Sequence, residues 1–490
     1  MPDRLHRRPF SRVLLVEAND MGKWVGGGMA QQVHIPPLGL MYLAAYARKA
    51  DPRLGIRIVE SSLHCPSDSE FVEILRETRP EVVGIRSIAF FSEELRRIAA
   101  IARANSDAWI VVGGPIVHAF RAGLLAEVPE IDVAVKGEGE ATFASILAGE
   151  PLQDLPGIVY RGANGAVENQ DAPEIGDIDA LPFPAYDLID LDGYQRQLSY
   201  AYNHRRQGIL LTSRGCVYDC TFCFSHWRSL RVRSAANVYR EIRELYDRFG
   251  IRDFYIVDDL FNVNLRRALA LFDLIKSGGL KLSLYFANGL RADTVTEEFV
   301  DRAIEAGAIW FTYAVETASE EIQRLVRKGV NLDKAKSIVA YTQRKGVAVN
   351  ISTMFGFPTE TPRQAQRTLD WLGELPKPSL LPYHFCLRFF PGCEIAKQAI
   401  EAGWDPKRLE LTARFSYNDL PMGTPTLPKA EMNRILLEYH SRFGLNSPAA
   451  VRESVETLRR IGFADAEIAD MYSVLKRKVV HKVDELVALN

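Results

Sequence analysis

The feature that most constrains the fold of this chain is a repeated alternation of short apolar runs with longer helical patterns. In residues 12–150 the apolar, β-branched runs are RVLLVEA, IRIVES, VVGIRSI, WIVVGGP and VAVKGEG, and helical patterns such as LGLMYLAAYARKA and SEELRRIAAIARAN separate them. Strands that are buried on both faces of a parallel sheet carry such near-continuous apolar runs. The alternation therefore predicts a doubly wound α/β sheet, whose ligand lies at the carboxyl ends of the strands.

A second alternation begins near residue 208 and continues to about residue 400. Its six strand candidates are GILLTS, RDFYIVDD, LSLYFANG, AIWFTYAVE, VAVNISTMFGF and PYHFCLRFF. Helical patterns lie between them, and several of these patterns end at a glycine, which is a common helix C-cap. Six β/α units predict an open or partial barrel with its site at the C-terminal ends of the strands.

These patterns divide the chain into four predicted segments, since 490 residues are too many for one hydrophobic core. Residues 1–155 form a Rossmann-like domain, and residues 156–204 form a hairpin, turning at Asn164-Gly165, and a linker. Residues 205–400 form a partial (β/α)6 barrel of the TIM type. Residues 401–490 are mainly helical in pattern, and we expect them to cap the barrel and shape its pocket.

Composition excludes several classes of protein. The formal net charge is −2 and no long basic run occurs, which argues against nucleic acid or an anionic membrane as the main partner. No apolar run reaches the roughly 18 residues that a membrane span needs. The N-terminal residues lack the pattern of a signal peptide, and six cysteines in a chain of this size do not form a disulfide framework. We therefore expect a cytoplasmic protein.

Three of the six cysteines lie close together, as Cys216-x3-Cys220-x2-Cys223, immediately after the first strand of the second array. Three thiolates can bind three irons of a four-iron cluster and leave the fourth iron open to a reactant. Zinc is the alternative, because His226 would complete a Cys3His set. Structural zinc ligands usually come as two separated pairs, whereas these four fall within eleven residues. The cluster is therefore favoured over zinc and over a chance group of buried cysteines.

This spacing, with Phe222 just before the third cysteine on the first loop of a β/α barrel, resembles the radical S-adenosylmethionine (SAM) superfamily. The resemblance implies a [4Fe-4S] cluster on the three cysteines, with SAM bound to the open iron. It also implies cleavage of SAM to a 5′-deoxyadenosyl radical, after reduction by an electron donor such as flavodoxin or ferredoxin.

The resemblance extends to the ends of later strands in the second array. It assigns Asp258 and Asp259 to the methionine end of SAM, Glu316 to the ribose, and Gly356 and Pro358 to the adenine, with Phe222 also at the SAM site. Each residue has a structural alternative. The three carboxylates could cap the next helices, and Gly356-Phe357-Pro358 could be an ordinary turn.

The first domain is similar to the cobalamin-binding subgroup of that superfamily. The matching segments are HIPPLGLMYLAAYAR, VVGIRSIAFFSEELRRIAAIAR, IVVGGP, VKGEGEATF and LPFPAYDL. Glycines at the strand ends allow a flat ligand to approach the backbone, and their amides could face a phosphate, although glycines there are often only turn residues. The residues that the resemblance assigns to cobalamin are Glu17, Asn19, Gly22, Ser87, Gly113, Gly114, Gly137, Glu138 and Gly139.

One departure from the family pattern bears on the cobalt. Many cobalamin proteins carry Asp-x-His-x-x-Gly after the first strand, and here that register places Asn19 where the histidine would be. Asparagine is a poor cobalt ligand beside an imidazole. We therefore predict base-off cobalamin with no protein histidine below the cobalt; His34 and His64 are favoured as ordinary loop histidines. Arg86 could reach the lower face of the cobalamin or simply bury the aliphatic part of its side chain.

The predicted function is a cobalamin-dependent radical SAM methyltransferase. By resemblance, it would methylate an unactivated carbon of a biosynthetic intermediate through methylcobalamin and a 5′-deoxyadenosyl radical. The alternative keeps both cofactors but carries out a cyclisation, ring contraction or rearrangement. Methylthio transfer would call for a second cysteine cluster, and the first domain has only Cys65; a non-enzymatic sensor would not cleave SAM. We expect a small-molecule or peptide substrate, and we favour ordinary structural roles for Cys386 and Cys393 over roles as hydrogen donors or ligands.

Overall fold

The structure is a computed structural model that describes residues 9–19, 33–88, 92–224, 227, 229–380, 384–390, 393–407, 409 and 423–475. The chain divides into two compact units, Met1–Tyr194 and Gln195–Asn490. No helix within the described ranges is long and apolar enough to cross a membrane.

The first unit is built on a twisted sheet, which has seven strands in the described part of the chain. The strands are β1 (Arg12–Glu17), β2 (Gly55–Glu60), β3 (Val82–Arg86), β4 (Trp109–Gly113), β5 (Val133–Val135), β6 (Ile158–Gly162) and β7 (Gly165–Glu168). Their order is β2-β1-β3-β4-β5-β6-β7, and β1 to β5 run parallel. β1, β3, β4 and β5 are apolar and almost wholly buried, and β2 is buried in its second half, which confirms the predicted doubly wound fold.

Helices lie between and after the strands of this unit. They are α1 (Leu38–Ala50), α2 (Ser61–His64), α3 (Asp68–Thr78), α4 (Ser92–Asn105), α5 (Pro115–Phe120), α6 (Ala122–Glu127), α7 (Glu140–Leu147) and α8 (Leu191–Arg196). The predicted hairpin is formed by β6 and β7, which extend the sheet antiparallel. Its turn is Ala163-Asn164, one residue earlier than predicted, because the register pairs Gly162 with Gly165.

The second unit contains a parallel sheet whose described strands follow chain order, β8-β11-β12-β13-β14-β15. These strands are β8 (Gln207–Leu210), β11 (Asp253–Ile256), β12 (Ser283–Leu290), β13 (Ala308–Glu316), β14 (Ala348–Phe355) and β15 (His384–Cys386). Each matches one of the six predicted runs. A short antiparallel pair that the sequence did not indicate, β9 (Ser213–Arg214) with β10 (Arg231–Val232), lies between β8 and β11.

Helices follow the strands of this second sheet. They are α9 (Ala235–Phe249), α10 (Leu265–Ser277), α11 (Glu297–Glu305), α12 (Glu320–Leu325), α13 (Leu332–Arg344), α14 (Pro362–Gly373), α15 (Glu394–Glu401), α16 (Lys429–Phe443) and α17 (Pro448–Arg460). The last two confirm a helical C-terminal segment. Local sequence sets several ends: α9 begins at the cap Ser234 and ends at Gly250, which has a left-handed conformation.

Alternate residues of the central strands face opposite sides of this sheet. On one side, Phe286 of β12 packs against Phe272 of α10 and Phe299 of α11. On the other side, Tyr285 stacks against its strand neighbours Tyr255 and Trp310. The helix-facing side therefore forms the hydrophobic core, and the opposite side is the interior of the partial barrel.

Candidate functional site

The three clustered cysteines lie on the loop that β9 and β10 close, and not directly after β8. Gly215, just before Cys216, has φ +85, and a Cβ at this position would lie 2.3 Å from the carbonyl oxygen of Ser229. Only glycine fits both the conformation and the space. The start of the loop is therefore fixed by backbone packing.

Hydrogen bonds and a cation–π contact hold the middle of this loop. The Thr221 N–H donates to the carbonyl of Val326 at 3.0 Å, and the Thr221 carbonyl accepts from Ile395 N–H at 2.9 Å. The guanidinium of Arg291 lies 4.0 Å from the centre of the Tyr218 ring. The cysteine loop is thus attached to the ends of α12, α15 and β12.

The thiols of this loop lie within electrostatic range of one another. Burial raises the pKa of Cys223 to about 12, and the negative charges of Asp259 and of the other two cysteines add to the effect. Burial also raises the pKa of Cys220, while Lys328 acts in the opposite direction. Thiolates are therefore disfavoured until a cation offsets their charge, as bound iron would.

The described residues do not form a single-ion metal site. No three His, Cys, Asp or Glu side chains among them are arranged to hold one ion. His226, the fourth ligand of the zinc alternative, lies outside the described residues. The chemistry of three thiols on one loop fits a cluster, which takes one ligand per iron.

Asp258 and Asp259 follow β11 but point to different surroundings. The buried Asp258 carboxylate accepts hydrogen bonds from the backbone N–H and the hydroxyl of Thr212, both at 2.5 Å, and from the Ser213 hydroxyl at 2.7 Å. Its oxygens are thereby used to hold the β8–β9 junction, which leads into the cysteine loop. Neither aspartate caps α10, whose cap is Asn264.

Asp259 keeps exposed surface and lies beside the start of the cysteine loop. The surrounding protein partly desolvates the Asp259 carboxylate, which raises its pKa to about 6. The negative charge of Asp258 raises the pKa further. Its carboxylate accepts a hydrogen bond from the backbone N–H of Gly215. It therefore lies at the point where the loop begins, close enough to Cys223 for their charges to interact.

Glu316 ends β13 in a conformation that is unusual for a residue with a side chain. Its φ is +69, next to a register irregularity between β13 and β14. A left-handed non-glycine residue costs about 1–3 kcal/mol, and such residues cluster at functional sites. The buried carboxylate pairs with Lys328 Nζ at 2.7 Å. The cap of α12 is Ser319, so Glu316 is not the helix cap.

Lys328 connects Glu316 to the cysteine loop. Its ammonium lies 5.9 Å from the centre of the Phe222 ring. Its positive charge opposes the rise that burial causes in the pKa of Cys220. The Phe222 ring in turn meets the edge of Phe357, with ring centres 6.4 Å apart. These contacts bring the predicted SAM residues of three loops together.

The loop after β14 is organised around a buried glutamate. Gly356, with φ +89, donates its N–H to Glu360 at 2.7 Å, while the second carboxylate oxygen has no partner among the described residues. Burial raises the pKa of Glu360 to about 8. The Pro358 carbonyl accepts from Trp404 Nε1 at 3.3 Å, and Thr426 donates to the Glu360 carbonyl at 2.8 Å. The C-terminal segment therefore supports this loop.

Of the two remaining cysteines of the second unit, one touches the cluster loop. The buried thiol of Cys393 donates to the Cys223 carbonyl at 3.7 Å, and burial raises its pKa to about 11. Cys386 is half-buried at the end of β15.

In the first unit, charged residues form a row across the carboxyl ends of the strands. The register aligns Glu60, Glu17, Arg86 and Gly113 on β2, β1, β3 and β4. Glu17 pairs with Arg86. Burial raises the pKa of Glu17 to about 7, Arg86 acts in the opposite direction, and Glu60 adds to the increase.

Glu60 is the centre of a buried hydrogen-bond network. Its carboxylate accepts from the side-chain amide of Asn19 at 2.9 Å and from the hydroxyl of Tyr194 at 2.9 Å, and it bonds His34 Nδ1 at 2.6 Å. The Glu60 backbone N–H donates to His64 Nδ1 at 2.9 Å. Asn19 and both nearby histidines are therefore oriented by one residue.

The predicted cobalamin glycines fall into two groups. At Gly113 and Gly137 an added Cβ would meet nothing within 4 Å, so both face open space at the strand ends. At Gly114, which has φ +90, a Cβ would lie 2.9 Å from the carbonyl oxygen of Ser87, and at Gly139 it would contact Leu43 at 3.4 Å. The first group fits the close approach of a ligand, and the second fits internal packing.

Of two other residues assigned to cobalamin, Glu138 has a hydrogen-bond partner within the protein and Gly22 lies outside the described residues. The Glu138 carboxylate accepts from the backbone N–H of Ile175 at 2.6 Å, which ties the end of β5 to the linker.

Sequence reasoning missed Lys328, Glu360 and Glu60 as parts of the site. Glu60 ends a predicted strand and Glu360 follows Gly356 by four residues, so strand-end position could have indicated both. Lys328 follows a helix and reaches Glu316 only through the tertiary fold, so no local pattern could have found it.

Comparison with known proteins finds a matching family model within each unit. Residues 210–372 match the model of the radical SAM superfamily, and residues 30–147 match that of the B12 binding domain. The chain is 30% identical to an uncharacterized methyltransferase of Pyrococcus horikoshii, over 69% of this chain and 73% of that protein. It is 24% identical to the anaerobic magnesium-protoporphyrin IX monomethyl ester cyclase of Cereibacter sphaeroides, over 74% and 60%.

A solved structure shows the same fold along nearly the whole chain. The radical S-adenosylmethionine methyltransferase TsrM of Kitasatospora setae, determined with cobalamin and a [4Fe-4S] cluster, superposes with a TM-score of 0.66. The match covers 96% of this chain and 100% of that one, at 20% sequence identity.

Proposed function

The chain belongs to the cobalamin-dependent radical SAM methyltransferases, and from this premise we propose that it methylates an unactivated carbon of a small-molecule biosynthetic intermediate. The observation that carries the proposal is the convergence of the cysteine loop with the ends of β11, β13 and β14. Through Lys328, Phe222 and Gly215, the residues after three strands of one sheet contact one loop that carries three thiols.

The cofactors would supply the reactive species when bound: the reduced cluster and SAM a 5′-deoxyadenosyl radical, and cobalamin the methyl group. Cys216, Cys220 and Cys223 would hold three irons. The contribution of the chain is to fix these thiols through Gly215 and Thr221, and to keep charged groups at the strand ends.

The geometry favours different roles for the two aspartates that the sequence assigned together. Asp259 can receive the amino group of SAM, because it is accessible beside the cysteine loop. Asp258 acts by positioning, since its carboxylate already accepts three internal hydrogen bonds. Glu316 would take the ribose, with Lys328 holding its carboxylate. Gly356 and Pro358 would lie along the adenine.

For cobalamin, Gly113 and Gly137 offer the open strand-end surface. We propose that the cobalt has no imidazole from this chain below it. Asn19 stands at the histidine position and donates to Glu60, and the Nδ1 atoms of His34 and His64 are bonded to Glu60 as well. The electron paramagnetic resonance spectrum of the cobalt(II) form tests this: nitrogen-split lines would contradict it.

The decisive experiment counts the products of SAM. The enzyme, prepared anaerobically with iron and cobalamin, is reduced with dithionite or with flavodoxin, and 5′-deoxyadenosine and S-adenosylhomocysteine are quantified per chain. Both products are expected, and Cys223→Ala should abolish 5′-deoxyadenosine. Absence of both products in cluster-loaded enzyme would overturn the proposal.

A second candidate function is a radical cyclisation without methyl transfer, favoured by the similarity to the cyclase of Cereibacter sphaeroides. The relative with the higher identity is named as a methyltransferase, which places this candidate second. It predicts 5′-deoxyadenosine without S-adenosylhomocysteine in the same experiment.

A further inference from the structure

A cavity of about 400 Å³ lies inside the partial barrel of the second unit. It is lined by interior-facing residues of β11, β12, β13 and β14 and by residues 200–201 of the segment before β8. Its volume is in the lower part of the range of small-molecule sites. None of its lining residues in the described chain carries a formal charge.

The floor of the cavity is aromatic. Tyr255, Tyr285 and Trp310 are aligned across neighbouring strands by the register, and all three are buried. The two tyrosine rings stack with centres 4.4 Å apart and planes 14° from parallel. The Tyr285 hydroxyl donates to Asp253 at 2.6 Å and the Tyr255 hydroxyl bonds Ser199 at 3.1 Å. Because the hydroxyls are used elsewhere, the floor is apolar.

The wall above this floor is polar and neutral. The register aligns Thr312 of β13 with Asn350 of β14, two residues nearer the C-terminal ends than the floor, and Ser352 follows on the same face. The hydroxyls of Thr312 and Ser352 make no hydrogen bond with any described residue. Two hydroxyls that face a cavity without protein partners indicate a ligand that would bond to them.

The same strands lead from the cavity to the proposed SAM residues. Thr312 precedes Glu316 on β13 by four residues, and Ser352 precedes Gly356 by four residues. Four residues of strand span about 13 Å. A molecule seated on the aromatic floor would therefore present its other end towards the proposed radical.

We propose that this cavity binds the substrate, and that the buried part of the substrate is an uncharged flat ring with one apolar edge and one hydrogen-bonding edge. The apolar edge rests on Tyr255, Tyr285 and Trp310, and the polar edge bonds to Thr312 and Ser352. A charged ring is rejected, because burying an ion in a cavity without a counter-charge costs several kcal/mol. This inference rests on the proposed function, because it names the substrate of that site.

The test uses two naphthalene probes with the same ring system, one of them neutral and the other anionic. Equilibrium dialysis of the anaerobic holoenzyme measures the binding of 2-naphthol, which is neutral at pH 7, and of 2-naphthoate, which is anionic. One 2-naphthol per chain is expected, with 2-naphthoate at least about tenfold weaker. Thr312→Val keeps the side-chain shape and should weaken 2-naphthol about fivefold, the effect of one hydrogen bond. Thr312→Leu, which replaces the hydroxyl by a larger apolar branch, should weaken 2-naphthol at least as much as Thr312→Val does.

Ser337→Ala is the control, because it removes an exposed hydroxyl on α13, a helix that contributes no residue to the cavity lining. Its 2-naphthol affinity should equal that of the native protein. Equal affinities for both probes, or native affinity in Thr312→Val and Thr312→Leu, would overturn the cavity proposal. Iron content and the circular dichroism spectrum of each variant show whether it has folded.

SAM cleavage by the same native preparation separates this inference from the proposed function. Probe binding without SAM cleavage would refute the proposed function and leave the neutral-ring cavity standing. SAM cleavage without selective binding of 2-naphthol would refute the cavity alone.

Discussion

Asp258 offers the most discriminating perturbation of the cysteine loop. Its carboxylate accepts three hydrogen bonds from Thr212 and Ser213, and Arg267, which bonds the Thr212 hydroxyl at 2.8 Å, lies 3.9 Å away. Asp258→Ala would leave the guanidinium and the Thr212 N–H buried without this acceptor. Breaking a buried pair in this way costs about 3–5 kcal/mol. The expected loss in Tm is on the order of 10 °C.

Asp258→Asn is the finer variant. Its amide oxygen can still accept from the Thr212 N–H, but its NH2 group would face hydroxyls that now donate to the carboxylate. The free energy of unfolding should fall by about 1–3 kcal/mol, so the stability of Asp258→Asn should lie between those of the native protein and Asp258→Ala. Because Thr212 and Ser213 lead into Gly215 and the cysteines, iron per chain after anaerobic reconstitution should fall in the same order.

The control is Asp259→Asn, the same chemical change at the next residue. Asp259 is exposed and the amide oxygen of Asp259→Asn can still accept from the Gly215 N–H, so the free energy of unfolding should change by less than about 0.5 kcal/mol. It should leave Tm unaltered while weakening SAM binding. If instead Asp258→Asn keeps the native Tm and iron content and loses only SAM affinity, then Asp258 contacts SAM and the positioning argument is wrong.

Three further predictions concern single positions. Gly215→Ala should lose most of its iron, measured per chain, because its Cβ would overlap a carbonyl oxygen and its φ is +85; native iron content would contradict the argument. Gly113→Leu should bind little corrinoid without loss of Tm, whereas Gly123→Leu, equally free of steric contact on α6, should bind normally. The raised pKa of Glu360, about 8, means that the folded chain holds a proton that the unfolded chain releases near pH 4.5. Stability should therefore fall as pH rises from about 4.5 to 8, and the slope of Tm against pH between 6 and 8 should be smaller in Glu360→Gln. Equal slopes would refute the role of Glu360.

Most of the fold could be predicted because its strands are buried on both faces. Such strands require continuous apolar runs, so the sequence marks them clearly, and parallel pairing then places the residues that follow them at one edge. This is why Asp259, Glu316 and Gly356, which the resemblance assigns to SAM, could be placed at strand ends from the sequence. The β9–β10 pair was missed because two residues per strand are too few to produce a periodic pattern.

The direction of side chains could not be predicted in the same way. Asp258 and Asp259 are adjacent, and only the path of the chain after β11 decides that one accepts from Thr212 and the other from the Gly215 N–H. The hairpin turn was misplaced by one residue for a related reason. Its position depends on the register of β6 with β7, which cross-strand packing sets, and the turn dipeptide alone does not determine it.

The distribution of charge along β13 and β14 relates the proposed site to the cavity. Within the cavity these strands carry the neutral residues Thr312, Asn350 and Ser352. At its C-terminal end, β13 carries the charged Glu316, which pairs with Lys328. SAM carries a sulfonium, an ammonium and a carboxylate, so its binding needs charged partners. The ring that we propose for the cavity is uncharged and does not need such partners. The cavity and the strand ends would therefore each exclude the other's ligand. A charged molecule would find no counter-charge in the cavity. A neutral ring could not compensate the desolvated charges at the strand ends. The placement of charge along these two strands therefore supports our proposal of SAM at the strand ends and of a neutral ring in the cavity.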